Sequence, residues 1–298
     1  MKKPIKQLKP VIKWSGSKRN VAIELSNHFL TRDRYIEPFV GGGSLLPFRG
    51  IKEGIASDII PELITLWNEI KSNPKDVANE YELRWNRLQN EGHDVYYEIR
   101  ENFNINKNPF DFLFLTRTCV NGLIRYNSSG EFNNSMHKNR PGINPNSLKK
   151  ILEDWSIHLK GVNFYNQDYR ETLSNLNKKD FVFLDPPYGG TKGRYTTTKF
   201  DVEDFYNQLE LLNNKEIPWM LTYDGSAGDR EYKFELPKEI YKNKFYVETG
   251  NSPFTKLMKT SIDSINEAVY TNYKINNNLL VINNNLLVND INTQLELI

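Results

Sequence analysis

The chain has 298 residues, 38% of them apolar and 12% aromatic, and its 39 basic and 37 acidic side chains leave a net charge of +2. This composition excludes an intrinsically disordered chain, and the length allows one large domain or two moderate ones. No apolar run reaches the roughly 18 residues of a membrane-spanning helix, and the lone Cys119 excludes an internal disulfide. We therefore expect a cytoplasmic protein that spans no membrane and binds no metal, because its four histidines lack metal-ligand spacing.

The positive charge is concentrated in two segments. Residues 1–20 hold seven basic and no acidic side chains, and residues 111–150 hold six basic and two acidic ones. The other segments, 21–110 and 151–298, are both acidic. The near-zero net charge argues against a nucleic-acid partner, but this asymmetry makes such a partner worth considering.

The N-terminal half predicts alternating strands and helices, followed by a largely helical insertion. Apolar runs predict strands at residues 35–40 and 54–57. Helical patterns cover residues 20–30, a stretch opening at Ser44, residues 61–70 and most of 73–115. Residues 121–135 have β-forming residues on each side of Ser128-Ser129-Gly130, which predicts a hairpin.

The C-terminal half returns to alternating strands and helices. It predicts helices at 148–159, 169–176 and 201–212, and strands at 161–165, 181–184 and 218–223. This alternation at both ends of the chain indicates an α/β fold with a mostly parallel sheet, and the insertion at 62–160 is a candidate second domain. The segment INNNLLV at 275–281 is repeated at 282–288, and we assign this tail, 274–298, no chemistry.

A glycine-rich turn, Phe39-Val40-Gly41-Gly42-Gly43, follows the first strand, where a nucleotide-like cofactor approaches the backbone of an α/β sheet. Asp58 ends the next strand, where its carboxylate can accept hydrogen bonds from both ribose hydroxyls. The third glycine of a dinucleotide fingerprint is replaced by Leu46. A nucleoside cofactor without pyrophosphate therefore fits better than NAD.

The motif Asp185-Pro186-Pro187-Tyr188 directly follows the apolar strand at 181–184. The two prolines restrict the turn, so that the Asp185 carboxylate and the Pro186 carbonyl can both accept hydrogen bonds from one amino group on a planar ring. Tyr188 can stack on the face of that ring. Such contacts free the nitrogen lone pair for attack on a methyl sulfonium, by positioning and electrostatics.

Together these motifs resemble the Dam-type (class alpha, D12 family) DNA adenine-N6 methyltransferases over roughly residues 10–273. The resemblance also rests on residues 13–18 (KWSGSK), 37–44 (EPFVGGGS), 121–127 (NGLIRYN) and 130–133 (GEFN). It implies a Rossmann-like methyltransferase domain, 1–61 plus 161–273, with a helical-plus-hairpin target-recognition domain inserted at 62–160. It also implies S-adenosylmethionine as cofactor and double-stranded DNA as partner.

The resemblance assigns roles to individual residues. Catalysis on the target adenine would fall to Asp185, Pro186, Pro187 and Tyr188. The cofactor would be held by Trp14, Ser15, Lys18, Phe39, Gly41, Gly43, Ser44, Asp58, Asp168 and Tyr169. DNA would be contacted by Lys13, Arg117, Asn121, Leu123, Arg125, Asn133 and Lys138.

Within the recognition segment, Arg125 would read guanine, because its guanidinium can bond O6 and N7 in the major groove. Arg117 and Lys138 would mainly contact phosphate, and Asn121 would lie beside the base pair that opens. The target adenine has to leave the duplex by base flipping, because its amino group is otherwise buried in the stack.

The sequence departs from the family at Val120, where an aromatic residue is common, and at residues 134–137 (NSMH), where a Val-Pro-Phe-Gly-like run is common. Both positions belong to the recognition surface, so a GATC target does not carry over. Cys119 is not in a Pro-Cys context, which argues against cytosine C5 methylation.

Three functions remain open from the sequence. The leading one is site-specific adenine-N6 methylation of duplex DNA, in a restriction-modification system or alone. We expect a monomer in that case, with a cognate restriction endonuclease as a functional counterpart and not as a bound subunit. The alternatives are an RNA exocyclic-amine methyltransferase and a catalytically inactive DNA-binding relative.

Overall fold

The computed structural model describes residues 7–50, 53–137, 139, 142–187, 200–227, 230–231, 236–248 and 265–275. Three features predicted above lie outside these residues: Tyr188 of the catalytic motif, Lys138 of the recognition segment, and the duplicated tail beyond Ile275.

A single mixed sheet forms the centre of the fold, and the predicted α/β class is confirmed. Its main path has the order β3-β2-β1-β4-β5-β8-β7, and the short β6 pairs with β5. Strands β1 to β5 pair with one another in parallel, whereas β8 is antiparallel to both β5 and β7. The strands are Arg34–Glu37 (β1), Glu53–Asp58 (β2), Val162–Asn166 (β3), Asp180–Leu184 (β4), Trp219–Ala227 (β5), Arg230–Glu231 (β6), Asn243–Glu248 (β7) and Ile265–Thr271 (β8).

Eight α-helices occur in the described part of the chain. Four of them begin with a proline, whose missing N–H is no loss in the first turn of a helix. Asn108 and Asn144 cap two of these helices, because each side chain accepts hydrogen bonds from two backbone N–H groups. The helices are Ala22–Ser26 (α1), Pro61–Ser72 (α2), Pro74–Glu91 (α3), Asp94–Asn106 (α4), Pro109–Thr118 (α5), Pro145–His158 (α6), Tyr169–Ser174 (α7) and Val202–Asn214 (α8).

Two predicted helices near the N-terminus are wrong in extent. The helix expected at residues 20–30 is a 3₁₀ turn, Lys18–Val21, followed by the five-residue α1. The helix expected to open at Ser44 is only a 3₁₀ turn, Leu46–Phe48. The Ser44 hydroxyl bonds the Ser17 hydroxyl at 2.7 Å instead of capping a helix, and the turn ends before Gly50, which has φ +65°.

The predicted hairpin at 121–135 is also irregular. Its two sides are antiparallel, but they meet only in the isolated bridges Tyr126–Phe132 and Cys119–Met136. The buried Asn134 explains part of this, because its side-chain amide donates to the carbonyls of Val120 and Leu123. A side chain thus takes the place of strand-to-strand hydrogen bonds, and we call residues 119–137 the recognition loop.

The core is continuous between the sheet and the inserted helices. The Trp67 ring of α2 lies 5.1 Å from Trp155 of α6 and is stacked 6.0 Å from Phe164 of β3. Helix α4 supports the recognition loop through Asn104, which both donates to the Phe132 carbonyl and accepts from the Phe132 N–H. The loop is therefore anchored to a helix that belongs to the same core.

Candidate active site

The carboxyl ends of four parallel strands meet along one edge of the sheet. Phe39 follows β1, Asp58 ends β2, Asp168 follows β3 and Asp185 follows β4. In the sheet, β1 lies between β2 and β4: the chain runs from β1 to β2 and β3 on one side, and then crosses back to β4 on the other side. Open α/β sheets bind ligands at such a position, and the structure brings the predicted cofactor and catalytic residues to it.

The glycine turn after β1 packs against tryptophan side chains. Gly41 has φ +42°, and a Cβ there would lie 2.5 Å from Nε1 of Trp14. Its carbonyl accepts a hydrogen bond of 3.0 Å from Nε1 of Trp67, whose ring also lies close to Gly43. The glycines are therefore required for the close approach of two indoles, a cause that the sequence did not suggest.

Asp58 is held in a fixed orientation at the end of β2. One carboxylate oxygen accepts from the Gly41 N–H at 3.1 Å, and the other accepts from the Ile60 N–H at 3.2 Å. Burial raises the pKa of Asp58 to about 6, against the lowering effect of these backbone hydrogen bonds. Near neutral pH the group is therefore an ionised acceptor that titrates in the mildly acidic range.

Asp168 and Tyr169 lie beside Asp58 but are engaged within the fold. Asp168 caps α7 by accepting from the Arg170 N–H, and it forms a 3.0 Å ion pair with the Arg170 guanidinium. Tyr169 is buried, and its hydroxyl donates to Asp204 at 2.7 Å. The Phe39 ring lies 5.2 Å from the Tyr169 ring, so these residues form an aromatic wall next to the strand ends.

The loop that contains Trp14 and Ser15 reaches three parts of the site. Ser17 bonds Ser44 beyond the glycine turn, and Trp14 covers Gly41. Lys18 is directed elsewhere: its ammonium lies 2.8 Å from Oδ1 of Asp185. The sequence predicts that Lys18 contacts the cofactor, whereas one of its observed partners, Asp185, belongs to the catalytic motif.

Asp185 has a well-defined environment at the end of β4. Its Oδ1 contacts the Lys18 ammonium and accepts from the Thr222 hydroxyl at 3.0 Å. The next residue, Pro186, is buried, and Pro187 is exposed. Burial raises the pKa of Asp185, while Lys18 and Thr222 act in the opposite direction.

Sequence reasoning missed Glu267 and Thr222. The Glu267 carboxylate lies 2.6 Å from the Lys18 ammonium, so Glu267 belongs to the same cluster as Lys18 and Asp185. A signal was present: Glu267 directly precedes the apolar run Ala268-Val269-Tyr270, where an acidic residue needs a buried partner.

Arg125, the predicted guanine reader, is exposed on the recognition loop. Its Nε donates to Oδ1 of Asn133 at 2.9 Å, a contact that does not use the two terminal nitrogens of the guanidinium. Asn121 is also exposed and has φ +56°, an unusual conformation for a residue other than glycine. Leu123 is half-buried between them.

Lys13 connects the N-terminal loop to the recognition loop. A Cβ on Gly122 would lie 2.3 Å from Cβ of Lys13, so the two backbones are in contact only because residue 122 is glycine. The loop containing Trp14 and Lys18 therefore abuts the predicted DNA-reading segment directly.

Arg117 does not fit its predicted phosphate contact. It is only 8% exposed, and its guanidinium donates to the backbone carbonyls of Val11 (2.5 Å) and Pro10. Burial lowers the pKa of Arg117 to about 10. Its observed role is to attach the N-terminal segment to α5, because buried carbonyls need donors.

The described residues contain neither a membrane-spanning helix nor a metal-binding cluster. None of their helices combines the length and apolar character needed to cross a membrane. Nor do those residues bring together three or more side chains of the types that hold a metal ion.

Comparison with known proteins identifies the family. A family model described as D12 class N6 adenine-specific DNA methyltransferase matches residues 14–255. The DNA adenine methylase of Salmonella typhi is 28% identical over 246 residues, which cover 78% of this chain and 87% of that protein. The type II methyltransferase M.MjaIII of Methanocaldococcus jannaschii is 31% identical, covering 70% and 83%, and the retron Ec67 DNA adenine methylase of Escherichia coli is 30% identical, covering 68% and 71%. The chain therefore belongs to the D12 class of N6 adenine-specific DNA methyltransferases.

Proposed function

We propose that the chain transfers a methyl group from S-adenosylmethionine to the N6 amino group of an adenine flipped out of duplex DNA, at a specific site. The observation that carries this proposal is the environment of Asp185. Lys18 and Thr222 both contact Oδ1, and no further hydrogen bond from the described residues reaches Oδ2. A carboxylate held in this way offers one oriented acceptor for an incoming N–H group.

Acceptance of a hydrogen bond by Asp185 would activate the adenine. The amino lone pair is delocalised into the ring, and a bond to a fixed acceptor favours the pyramidal nitrogen that attacks carbon. The new N–C bond would use that lone pair, the C–S bond of the sulfonium would break with its electron pair remaining on sulfur, and one amino proton would then pass to solvent water. The contribution of Asp185 is thus positioning and electrostatic stabilisation.

The residues near Asp58 fit S-adenosylmethionine, which supplies an electrophilic methyl group on a sulfonium when it is bound. Asp58 presents a carboxylate that is oriented by two backbone N–H groups, as ribose hydroxyls require. The glycine turn opens no α-helix, only the 3₁₀ turn Leu46–Phe48, so the helix N-terminus that binds a pyrophosphate in dinucleotide sites is missing there. A nucleoside with a sulfonium fits better than NAD.

Site choice would depend on the recognition loop. Arg125 presents its terminal nitrogens at an exposed position, and a bidentate contact with guanine discriminates by about 1–3 kcal/mol. Phosphate contacts would come from the basic segments at 1–20 and 111–150, but not from Lys18 or Arg117, which are buried. We therefore propose that residues 1–61 and 161–273, which contain the sheet and its strand ends, bind the cofactor and catalyse methyl transfer. Residues 62–160 would recognise the DNA sequence.

The deciding experiment measures transfer of labelled methyl groups to duplex DNA, single-stranded DNA and RNA, and then maps the modified base by sequencing. We expect label in duplex DNA, at adenine, within one short sequence. Asp185→Asn is expected to reduce transfer by at least about 100-fold, the loss typical of a key transition-state contact. Asp33→Asn, an exposed carboxylate in a 3.8 Å pair with Lys179, serves as control and is expected to behave as wild type.

Label that enters only RNA would overturn the DNA assignment. Full activity of Asp185→Asn would remove Asp185 as the acceptor, while leaving the reaction itself in place.

A further inference from the structure

Glu267 is a buried acidic residue inside the antiparallel part of the sheet. It lies on β8, is 5% exposed, and is the neighbour of Gly225 in the register between β5 and β8. Its carboxylate lies 2.6 Å from the ammonium of Lys18, which is 6% exposed. The cluster thus contains one buried cation in contact with two carboxylates, those of Glu267 and Asp185.

Burying these three charged groups costs free energy. Lys18, Asp185 and Glu267 together have one more negative than positive charge when all three are ionised. Removing charges from water costs several kcal/mol per ion, and a second carboxylate adds repulsion toward the first. Burial alone lowers the pKa of Lys18, but the two carboxylates outweigh this effect and raise it, so the ammonium remains charged.

The geometry shows what the second carboxylate does. A flexible lysine with one partner can follow that partner or move into solvent. Here Glu267 holds the ammonium from the β8 side, and the same ammonium contacts Oδ1 of Asp185. Thr222, on β5, donates to that same oxygen at 3.0 Å. The rotation of the Asp185 carboxylate is therefore determined by groups from the N-terminal loop, β5 and β8.

We propose that Glu267 is a positioning residue for methyl transfer: it holds Lys18 against Oδ1 of Asp185, so that Oδ2 is presented to the target amino group. This inference rests on the proposed role of Asp185 as hydrogen-bond acceptor. It assigns a function to the antiparallel strand β8, which contributes no residue to the motifs of the sequence.

The test compares Glu267→Gln and Glu267→Asp in the full chain by the single-turnover rate constant of methyl transfer, with saturating DNA and S-adenosylmethionine, from pH 5 to 9. Glutamine keeps an oxygen in place but removes the charge that holds Lys18. We expect the rate constant to fall by at least about tenfold, which corresponds to a loss of about 1.4 kcal/mol of transition-state stabilisation. The Kd for duplex DNA should change by less than about twofold, because the buried Glu267 does not reach the surface that DNA would contact.

The pH profile separates positioning from a purely structural role. Removing a negative charge beside Asp185 makes protonation of Asp185 less favourable, so the acidic limb of the profile should move to lower pH by about one unit. Glu267→Asp keeps the charge, so its profile should stay at the wild-type pH while its rate constant lies between those of Glu267→Gln and wild type. Asp111→Asn, which breaks the ion pair between Asp111 of α5 and Arg84 of α3, should lower stability without moving the profile.

A wild-type rate constant in Glu267→Gln, or a profile that does not move, would overturn the proposal. If Glu267→Gln does not fold, Glu267→Asp decides, because an unchanged rate constant in that variant would exclude positioning. An active Asp185→Asn would instead refute the proposed role of Asp185, on which this inference depends. An inactive Asp185→Asn together with a fully active Glu267→Gln would refute only the role of Glu267.

Discussion

Arg125 and Asn133 are joined across the recognition loop by a hydrogen bond of 2.9 Å from the guanidinium Nε to the side-chain oxygen. The backbones of the same two residues are also hydrogen-bonded, because the Asn133 N–H donates to the Arg125 carbonyl at 3.0 Å. A guanidinium held through Nε keeps its planar fork in one orientation, which reduces the conformational entropy lost on binding a base edge. Asn133 thus orients the side chain that we propose as the base reader.

Removing the hydrogen bond from Arg125 to Asn133 should lower the selectivity of the enzyme for its DNA site. For Asn133→Ala we expect the ratio of kcat/KM between the preferred site and a duplex altered at its guanine to fall by about 3- to 10-fold, a part of the 1–3 kcal/mol that a bidentate contact provides. Arg125→Lys should lower that ratio further, because lysine keeps the charge but not the fork. Ser128→Ala, at the exposed tip of the same loop, is the control. An unchanged methylation map in Arg125→Lys would reassign Arg125 to a phosphate contact.

The contact between Gly41 and Trp14 should be essential for cofactor binding. In Gly41→Ala the new Cβ would lie 2.5 Å from the indole nitrogen, so Trp14 has to move. We expect the Kd for S-adenosylmethionine, measured by calorimetry, to rise by at least about tenfold, or 1.4 kcal/mol.

Gly92→Ala is the matched control for Gly41→Ala. Gly92 has φ +92°, and no atom lies within 4 Å of its Cβ position, so alanine there introduces backbone strain without a collision. Equal affinities in the two variants would show that the position of Trp14 does not govern cofactor binding.

The raised pKa of Asp58 predicts a pH dependence of cofactor affinity. With a pKa of about 6, the carboxyl is largely protonated at pH 5 and ionised at pH 7. Only the ionised form accepts from both ribose hydroxyls, so the Kd for S-adenosylmethionine should be about tenfold higher at pH 5 than at pH 7. Calorimetry at these two pH values checks this, and Asp58→Asn should bind weakly at both.

The same raised pKa affects the stability of the protein without cofactor. The unfolded chain ionises Asp58 near its ordinary value of 3.8, whereas the folded chain resists ionisation until about 6. Between these values the folded state binds more protons, so the contribution of Asp58 to the free energy of unfolding falls as the pH rises, by about 3 kcal/mol at most. Urea unfolding measures the free energy of unfolding at pH 4.5 and at pH 7. Its fall between these pH values should be smaller in Asp58→Asn than in the wild type, and an equal fall would contradict the raised pKa of Asp58.

The Tyr126 hydroxyl should contribute to the attachment of the recognition loop. It donates at 2.8 Å to Glu62, a buried residue in the first turn of α2. Tyr126→Phe leaves that carboxylate without this donor, and we expect the free energy of unfolding to fall by about 1–3 kcal/mol. Tyr97→Phe, on the exposed face of α4, is the control, and equal unfolding midpoints would show that the hydrogen bond is energetically neutral.

Much of the architecture was predictable because local patterns determine it. An apolar run bounded by polar residues marks a buried strand, and the predicted strands at 54–57 and 181–184 lie within β2 and β4. Asp58 and Asp185 were expected at strand ends, and parallel strands place such ends at one edge of the sheet. The helical extent near Ser44 was not predictable in this way, because the contact of Ser44 with Ser17 and the φ of +65° at Gly50 depend on the folded chain.

The family, the α/β class and the positions of the motifs could be read from residue types at short spacing along the chain. Which charges are buried, and what they contact, depends on how distant segments pack. It placed Arg117 against backbone carbonyls, and it brought Glu267 to Lys18 and Asp185 from a distant strand. The physical reason is that burial and electrostatic partners are properties of packed segments, so a side chain's neighbours in sequence do not specify them.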